Sequence, residues 1–551
     1  MLIAYDVSEA RRRAAEELFQ LFKVPAHVFS TGTRPEVLIT DGSRGGVERG
    51  AVATYTFASG PAPLDVDLSI TTTPMPIVER TITWPGASHE IPVPSGLSTL
   101  AGPGEALASC NRGVAALRLP AADGHTFVRF GYNLFDETAR LLTAGQPISD
   151  VSVPSLDLHI ALLRRELCRD VDLTEIPAIP SGHECIVTLS HDIDHMSLRE
   201  HRFDVHWLSF MRQATLWPPV SLRGGRMSAG DALKAWALAA ASPLIILGAL
   251  PDPWNDVDGY RRIEARFGAR STYFFIPFAY ENGVDLDGRP GHMRRWAGYD
   301  LAARRETVKS VEASGAEIAL HGLDAWSDVA WARRESERLA TISGRAPRGI
   351  RMHYLYADEG TSARLEEAGF AYDSTVGFSR HVGFRAGTLQ PYVPLTCREL
   401  LEFPVHLEDG GLLSRSGAWS TPAEARKTID DLLDNAVRAG GALNASWHDN
   451  SLKPPRSWID PYLYMLNGAR ERLAWMPTME DACRWFRLRR GLTFRATTEG
   501  ATAEASWPQD LPAPLLRTYA RRPQAWDTAT ALEFTDMPLH FDDRRSSEAV
   551  R

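Results

Sequence analysis

From Glu184 to about residue 490, short apolar runs alternate with stretches of helical periodicity. Short continuous apolar runs predict buried strands, whereas apolar positions that recur every three or four residues predict helices. Regular alternation of the two indicates a parallel α/β sheet, either open or closed into a barrel. The predicted strands are Ile186–Leu189, Thr272–Ile276, Glu317–Leu320, Gly349–Met352, Leu401–Pro404 and Ala442–Trp447, and the predicted helices are Tyr260–Phe267, Leu301–Ser314, Trp331–Ser343, Thr361–Ala368 and Pro422–Ala439.

The flanking regions have a different pattern. Residues 1–148 mix one helical stretch with short strands and predict an α+β domain of unknown role. Residues 149–183 form a predicted linker with one helix, because prolines surround the periodic stretch Leu156–Arg169. Residues 491–551 form a C-terminal extension with two short strands, Leu492–Thr497 and Thr502–Trp507, and a polar tail from residue 536 that we expect to be disordered.

An insertion, residues 196–256, separates the first two predicted strands of the α/β region. Its apolar stretch Ala235–Leu250 is interrupted by Ser242-Pro243 and falls short of the ~20 residues needed to cross a bilayer. We therefore expect a buried helix there. A hairpin that rests against a membrane surface is the alternative.

Composition narrows the possible partners. The chain has 551 residues, 44% of them hydrophobic, and a formal net charge of -9. The acidic balance argues against a nucleic-acid-binding protein and makes neutral or cationic partners, or small molecules, easier to accept. The five cysteines form no Cys-x-x-Cys pair, and the N-terminal residues show no basic and apolar export signal, so we expect free thiols and a cytoplasmic location.

Candidate chemistry is concentrated where the predicted strands end. Five of the six strands in the α/β region run into polar residues that include a histidine, and in a barrel such ends open on one face. The first end is the most crowded, because two carboxylates and two imidazoles follow within a few residues. It indicates either a metal site with an adjacent acid or base, or a crowded polar loop. The five ends are Ser190-His191-Asp192-Ile193-Asp194-His195, His321-Gly322-Leu323-Asp324, Arg351-Met352-His353-Tyr354, Val405-His406 and His448-Asp449-Asn450.

Hydrolysis of an amide would use these residue types. A divalent metal lowers the pKa of water and polarises the carbonyl, a carboxylate takes the remaining proton, and a histidine protonates the leaving amine. An arginine next to the carboxylate keeps it ionised. By residue type, Asp192, Arg351 and His448 fit the base, its ionic partner and the acid.

These motifs resemble those of the polysaccharide deacetylase superfamily, the NodB-homology proteins of carbohydrate esterase family 4. Ser190 to Asp194 is similar to the family's first motif, Arg351 to Tyr354 to its Arg-x-Pro-Tyr motif, and Ser446-Trp447-His448 to its last motif. The resemblance covers residues 184–490 and implies a distorted (β/α) barrel. It also implies Asp192 as general base, Asp194 and His321 as metal ligands, Arg351 as the partner of the base, the Tyr354 backbone N–H as oxyanion donor and His448 as general acid.

One position departs from the family pattern. The second metal-binding histidine would fall at Ala325. A zinc site of this kind needs three protein ligands and an open position. His353 is the expected third ligand, with Asp324 and His195 as weaker candidates.

The sequence thus predicts a hydrolase of carbon–nitrogen bonds other than peptide bonds, with zinc as the expected metal, that removes an N-acyl or O-acyl group from a carbohydrate. Two alternatives remain at this stage. One is a hydrolase of a small non-sugar amide, and the other is a non-catalytic carbohydrate-binding or assembly protein with a degenerate deacetylase fold.

Overall fold

The computed structural model describes residues 2–30, 34–43, 51–76, 80–87, 89–121, 124–252, 254, 257–291, 295–497, 500–504, 507–523 and 532–539. The chain divides into two compact units. The first comprises Met1–Gly182, Ala386–Thr388 and Trp485–Arg551, and the second His183–Arg385 and Leu389–Arg484. The helix of the predicted linker, Ser155–Asp170, belongs to the first unit, and the chain returns to that unit after residue 484.

The first unit is built on a nine-stranded mixed sheet. Its early strands pair in parallel, and the strands around Gly113–Pro120 pair antiparallel. In chain order the strands of this sheet are Ile3–Asp6, Ala26–Val28, Val37–Thr40, Ala53–Phe57, Thr71–Pro74, Ser98–Ala101, Glu105–Cys110, Gly113–Pro120 and Thr126–Phe130, and the longer helices are Arg12–Leu21, Leu134–Thr143 and Ser155–Asp170.

Shorter strands complete this unit. Thr81–Ile82 pairs with Ile91–Pro92, and Leu173–Glu175 pairs with Leu515–Tyr519, which also pairs with Phe534–Pro538. The two predicted C-terminal strands are present as Thr493–Thr497 and Gly500–Glu504. The predicted polar tail lies outside the described residues from position 540 onward.

The second unit contains the predicted parallel sheet. Its main strands are β1 Cys185–Ile193, β2 Thr272–Phe275, β3 Glu317–Gly322, β4 Gly349–Met352, β5 Tyr372–Asp373, β6 Leu401–Glu402, β7 Leu407–Glu408 and β8 Ala442–Ser446. These eight strands follow one another in the order β6-β5-β4-β3-β2-β1-β8-β7, and all pairs along this path are parallel. A two-residue strand, Ala474–Trp475, pairs with the start of β1.

The two edge strands of this sheet, β6 and β7, are separated by only four residues of chain. Within that segment the Val405 backbone N–H donates to Val376 (2.8 Å), and the His406 N–H donates to Asn444 (3.0 Å). The segment therefore bonds to the residues after β5 at one end of the strand order and to β8 at the other end. This closure, with no helix between β6 and β7, confirms the predicted distorted (β/α) barrel.

Helices connect most of the other strands. All five predicted helices of this region are present, with ends that shift by a few residues where a 3₁₀ turn continues them. The α-helices are Val257–Glu264, Arg305–Ala313, Val329–Ser343, Thr361–Ala368, Asp409–Leu413, Pro422–Ala439, Ile459–Glu471 and Met479–Gly491.

The insertion forms a pair of helices, Val205–Arg223 and Ala229–Ile246. The second is the one described helix with the length and apolar composition to cross a membrane, and only 33% of it is buried. The expectation of a buried helix is therefore wrong for most of its surface. Leu233 (66% exposed) and Leu244 (50%) lie on its outward face, and Leu247 (77%) follows at its C-terminal end. The sequence did not indicate this face, because a composition that is apolar all round gives no signal for which side of a helix is covered.

A buried polar cluster stabilises strand β1 on the face of the sheet to which His191 points. The His191 imidazole Nε2 lies 2.7 Å from Glu264 Oε1, and the other Glu264 oxygen accepts a hydrogen bond from Ser271 (2.6 Å). Tyr462 also donates to this carboxylate. Because consecutive strand residues point to opposite faces, His191 is turned away from its neighbour Asp192.

We expect Glu264→Ala to lower the free energy of unfolding by about 3 kcal/mol, because it leaves His191 Nε2 and two buried hydroxyls without their partner. Denaturant unfolding monitored by circular dichroism measures the change. Glu337→Ala, an exposed glutamate on Val329–Ser343, is the matched control and should change stability by no more than about 0.5 kcal/mol. Equal effects of the two substitutions would contradict a structural role for the cluster.

Candidate active site

The carboxyl ends of four barrel strands bring most of the predicted site residues together. Parallel strands place such ends on one face of a barrel. Here they enclose a cavity of about 160 Å³. All seven predicted catalytic and metal-binding residues line it: Asp192, Asp194, His321, Arg351, His353, Tyr354 and His448.

Three of these side chains form a compact group of potential metal ligands. Asp194 Oδ1 lies 3.3 Å from His321 Nε2 and 3.3 Å from His353 Nδ1, and the two histidine nitrogens are 3.0 Å apart. Ligand atoms about 2.0–2.2 Å from a tetrahedral zinc ion lie about 3.3–3.6 Å from one another. The donor set and its spacing therefore fit a divalent metal such as zinc.

Hydrogen bonds orient these ligands. His321 Nδ1 lies 3.0 Å from the Arg351 backbone carbonyl oxygen, which can accept a hydrogen bond but cannot donate one. The proton of a neutral His321 is therefore on Nδ1, and its Nε2 lone pair faces Asp194. Burial lowers the pKa of His353 despite the opposing Asp194 charge, which favours the neutral imidazole that a metal requires.

The two weaker candidates for the third ligand lie elsewhere. Asp324 accepts a hydrogen bond from the Val284 backbone N–H (2.8 Å), and the His195 ring packs against His201, with centroids 4.7 Å apart. Ala325 is fully buried and offers no ligand atom. Among the candidates considered from sequence, only His353 lies within ligand distance of both Asp194 and His321.

Asp192 is held by a buried arginine. Arg351 Nη1 donates to Asp192 Oδ1 at 2.7 Å, and the Arg351 side chain is fully buried. Burial alone would raise the pKa of Asp192, but the Arg351 guanidinium and the imidazoles of His321 and His448 outweigh burial and lower it. This carboxylate is therefore ionised and available to accept a proton.

His448 is paired with an aspartate that the sequence analysis did not identify. His448 Nδ1 lies 2.6 Å from Asp409 Oδ1, and Asp409 also accepts the His448 backbone N–H at 3.0 Å. Burial opposes a charge on His448, but Asp409 raises its pKa well above the usual range. On its other side, His448 Nε2 lies 3.9 Å from Asp194 Oδ2 and 3.8 Å from Glu408 Oε1.

The pKa values of the neighbouring carboxyl groups of Glu408 and Asp409 are shifted in opposite directions. Burial raises the pKa of Glu408 to about 8, and the adjacent Asp409 charge contributes, whereas the pKa of Asp409 falls to about 2 because the His448 charge outweighs burial. Glu408, Asp409 and His448 form a second group of potential metal ligands among the described residues. The only sequence signal for this group was that Glu408 and Asp409 follow the Val405-His406 strand end.

Tyr354 lies at the mouth of the cavity in an unusual backbone conformation. Its φ is +61° and that of Leu355 is +55°, both in the left-handed region that a residue with a side chain seldom occupies. Its ring is 49% exposed. Such backbone strain, which costs on the order of 1–3 kcal/mol, is concentrated at functional sites, and here it occurs where the predicted oxyanion donor would be.

Not every histidine at a strand end belongs to the site. His191 faces Glu264 behind the sheet, and His406 Nδ1 accepts the Asn444 backbone N–H (3.2 Å) within the barrel. His321, His353 and His448 line the cavity. The pattern of histidines at strand ends thus located the correct face but overstated how many imidazoles meet there.

No protein-family model and no curated protein matches this chain. Solved structures align with it at low identity. A proposed polysaccharide deacetylase from Mycobacterium smegmatis is 19% identical, with a TM-score of 0.35 over 60% of this chain and 99% of its own. Puue allantoinase is 14% identical (TM-score 0.33, 57% and 93%), and the carbohydrate deacetylase Agd3 is 10% identical (TM-score 0.32, 94% and 91%). Polysaccharide deacetylases are thus among the solved structures that align with this chain.

We expect His353→Ala to weaken zinc binding by more than about 100-fold, since loss of even an outer partner of a metal ligand costs 10- to 100-fold. Competition with a chromophoric chelator gives the affinity, and elemental analysis gives the stoichiometry. Asp324→Ala is the matched control and should bind zinc like the wild type. Equal affinities for wild type and His353→Ala would exclude His353 as the third ligand.

Proposed function

We propose that the second unit is a metal-dependent hydrolase that removes an N-acyl, or O-acyl, group from a carbohydrate. The arrangement of side chains in the cavity supports this proposal. Three potential metal ligands within 3.3 Å of one another share a cavity with an arginine-paired carboxylate and an aspartate-paired histidine. A metal, a general base and a general acid are the three components that hydrolysis of an amide requires.

Asp194, His321 and His353 would hold the metal. When bound, a divalent ion favours ionisation of water and polarises an acyl carbonyl. The remaining chemistry is supplied by side chains and backbone groups of the chain itself.

Asp192 is assigned as the general base. It takes a proton from the attacking water as the oxygen of that water bonds to the acyl carbon. Arg351 keeps the carboxylate ionised beforehand and fixes its orientation through the 2.7 Å hydrogen bond. The Tyr354 backbone N–H is assigned to the negative charge that develops on the acyl oxygen, because its strained backbone holds that peptide at the cavity.

His448 is assigned as the general acid. Asp409 favours the protonated imidazole, so His448 can donate a proton to the leaving amine as the carbon–nitrogen bond breaks. The products are a carboxylic acid and a free amine. The pKa of the proposed base Asp192 is lowered and the pKa of the proposed acid His448 is raised. Environments that shift two groups apart in this way are the usual arrangement for an acid and a base that act in one reaction.

The shape and lining of the cleft favour a carbohydrate over a small amide. Beside the site lies a further cavity of about 350 Å³ that shares Asp194, Tyr354 and His448 with it. Three tryptophans, Trp217, Trp254 and Trp458, line this space together with polar side chains. Flat apolar rings with polar groups between them suit sugar rings, and a small amide would leave most of this space unused.

A non-catalytic role is less well supported. A degenerate site would be expected to lose its base or its acid as readily as a metal ligand, whereas this cavity brings Asp192, His448 and the three candidate ligands together.

We expect Asp192→Asn and His448→Ala each to lower kcat for acetate release by about 10²- to 10⁴-fold, the usual contribution of a general base or acid. The assay measures acetate released from an N-acetylglucosamine tetramer by the zinc-loaded protein. Both variants should keep the zinc content of the wild type, and Asp287→Asn, an exposed loop substitution, should keep its rate.

The proposal would be contradicted by zinc-loaded wild-type protein that releases no acyl group from N- or O-acetylated saccharides. Rates for Asp192→Asn and His448→Ala equal to that of the wild type would contradict the assigned roles.

A further inference from the structure

The cleft continues beyond the proposed catalytic residues into a basic region. The cavity of about 350 Å³ beside the site shares Trp217, Pro455, Arg456 and Trp458 with another cavity of about 370 Å³. The chain therefore forms one connected cleft that leads from the candidate metal ligands, past His448 and Arg456, to this far end. We call this far end the arginine subsite.

Four arginines line the arginine subsite: Arg226, Arg415, Arg426 and Arg456. In the part of the chain that the structure describes, none of the four lies within 4.0 Å of a carboxylate, although many other arginines of this acidic chain form such pairs. A guanidinium carries five N–H donors that match the oxygens of phosphate or carboxylate. Arg226 interacts electrostatically with Glu424 and Arg456 with Asp409 at longer range, so the positive charge of the four arginines is only partly offset.

Aromatic rings lie beside all four guanidiniums, and Arg426 lies 5.4 Å from the ring centroid of Tyr464. Arg226 lies 4.1 Å and Arg415 4.9 Å from the ring centroid of Trp419, and Arg456 lies 5.1 Å from that of Trp458. Stacking of this kind orients a guanidinium and leaves its edge free to donate. Trp419 also has φ +50°, a strained conformation at a residue whose ring positions two of the four charges.

Hydrogen bonds fix two of the arginines further. Arg226 Nε donates to the Trp419 carbonyl at 2.6 Å, and Arg456 Nη1 donates to Ser451 Oγ at 3.1 Å. These bonds use a minority of the donors that each guanidinium carries. Two carboxylates, Asp231 and Asp460, also line the cavity, but Asp231 is bonded to Lys234 (3.1 Å), so the arginines remain in excess.

We propose that the arginine subsite binds an oxyanion, a phosphate or a carboxylate group, that the carbohydrate substrate carries at a distance from its acyl group. This inference rests on the proposed function and narrows it to anionic carbohydrates. The cleft then holds the substrate at two points: the acyl group at the candidate metal ligands and the anionic group among the arginines. The neutral middle of the substrate lies against Trp217 and Trp458.

Isothermal titration calorimetry with sodium pyrophosphate and, separately, with D-glucuronate tests this inference. The double variant Arg415→Ala/Arg426→Ala should bind the preferred anion at least about 10-fold more weakly than the wild type, because hydrogen bonds to a charged group are the strong ones. Both residues are exposed, so their replacement should leave the melting temperature unchanged. Arg262→Ala/Arg266→Ala, two exposed arginines on another part of the barrel, is the matched control for net charge and should bind like the wild type.

The two anions distinguish the sources of the charge. Preference for pyrophosphate supports a phosphorylated carbohydrate, and preference for glucuronate supports an acidic sugar. The inference is overturned if neither anion binds at millimolar concentration, or if the control pair weakens binding as much as the arginine-subsite pair does.

Anion binding by the variant Asp194→Ala can be measured independently of the proposed catalysis. Asp194→Ala removes a candidate metal ligand but leaves the arginine subsite intact, so it should bind the preferred anion with unchanged affinity. Anion binding by a protein that releases no acyl group would contradict the proposed function but leave the arginine subsite in place. Acyl release without anion binding would overturn the arginine subsite and leave the proposed function in place.

Discussion

The buried guanidinium of Arg351 is the interaction on which the candidate site depends. It donates from β4 to Asp192 and Ser190 on β1 and to Ser446 on β8, and its other nitrogens bond to Ser374 after β5. A charge with no exposure to water is tolerated only when its donors are satisfied, and removal of one partner of such a pair costs about 3–5 kcal/mol. One side chain therefore fixes the relative positions of three barrel strands and orients the proposed base.

Strand register then places the other groups around this centre. His321 on β3 is paired with Arg351 on β4, and Ser190 on β1 is paired with Ser446 on β8. Because side chains alternate across a strand, Asp192 faces the cleft while His191 faces the buried Glu264 cluster. A slip of one residue in β1 would exchange these two roles, so the polar cluster behind the sheet and the site in front of it select the same register.

Much of this arrangement could be predicted from the sequence. The six apolar runs marked their strands because buried parallel strands are continuous in hydrophobicity, and the polar residues that end them marked the correct face. The partner of His448 could not be found in the same way. Asp409 follows a strand of only two residues, which is too short to leave a hydrophobic pattern, and its pairing with His448 spans 39 residues of chain.

Three other features also depend on contacts between distant parts of the chain, which no local sequence pattern shows. His353 was one of several candidate third ligands until the distances separated it from Asp324 and His195, since a ligand set depends on geometry between strands. The outward face of Ala229–Ile246 depends on which neighbours cover the helix, and its composition does not encode that. The arginine subsite is assembled from the insertion and three later segments, so no local pattern could show that its four charges meet.

We infer that Asp194, His321 and His353 together bind one divalent metal. X-ray diffraction from crystals of the zinc-loaded protein, measured on both sides of the zinc absorption edge, tests it most directly. We expect a single strong anomalous peak in the second unit, about 2.0–2.2 Å from Asp194 Oδ1, His321 Nε2 and His353 Nδ1. The absence of a peak there, or a peak bound instead by Glu408, Asp409 and His448, would contradict it.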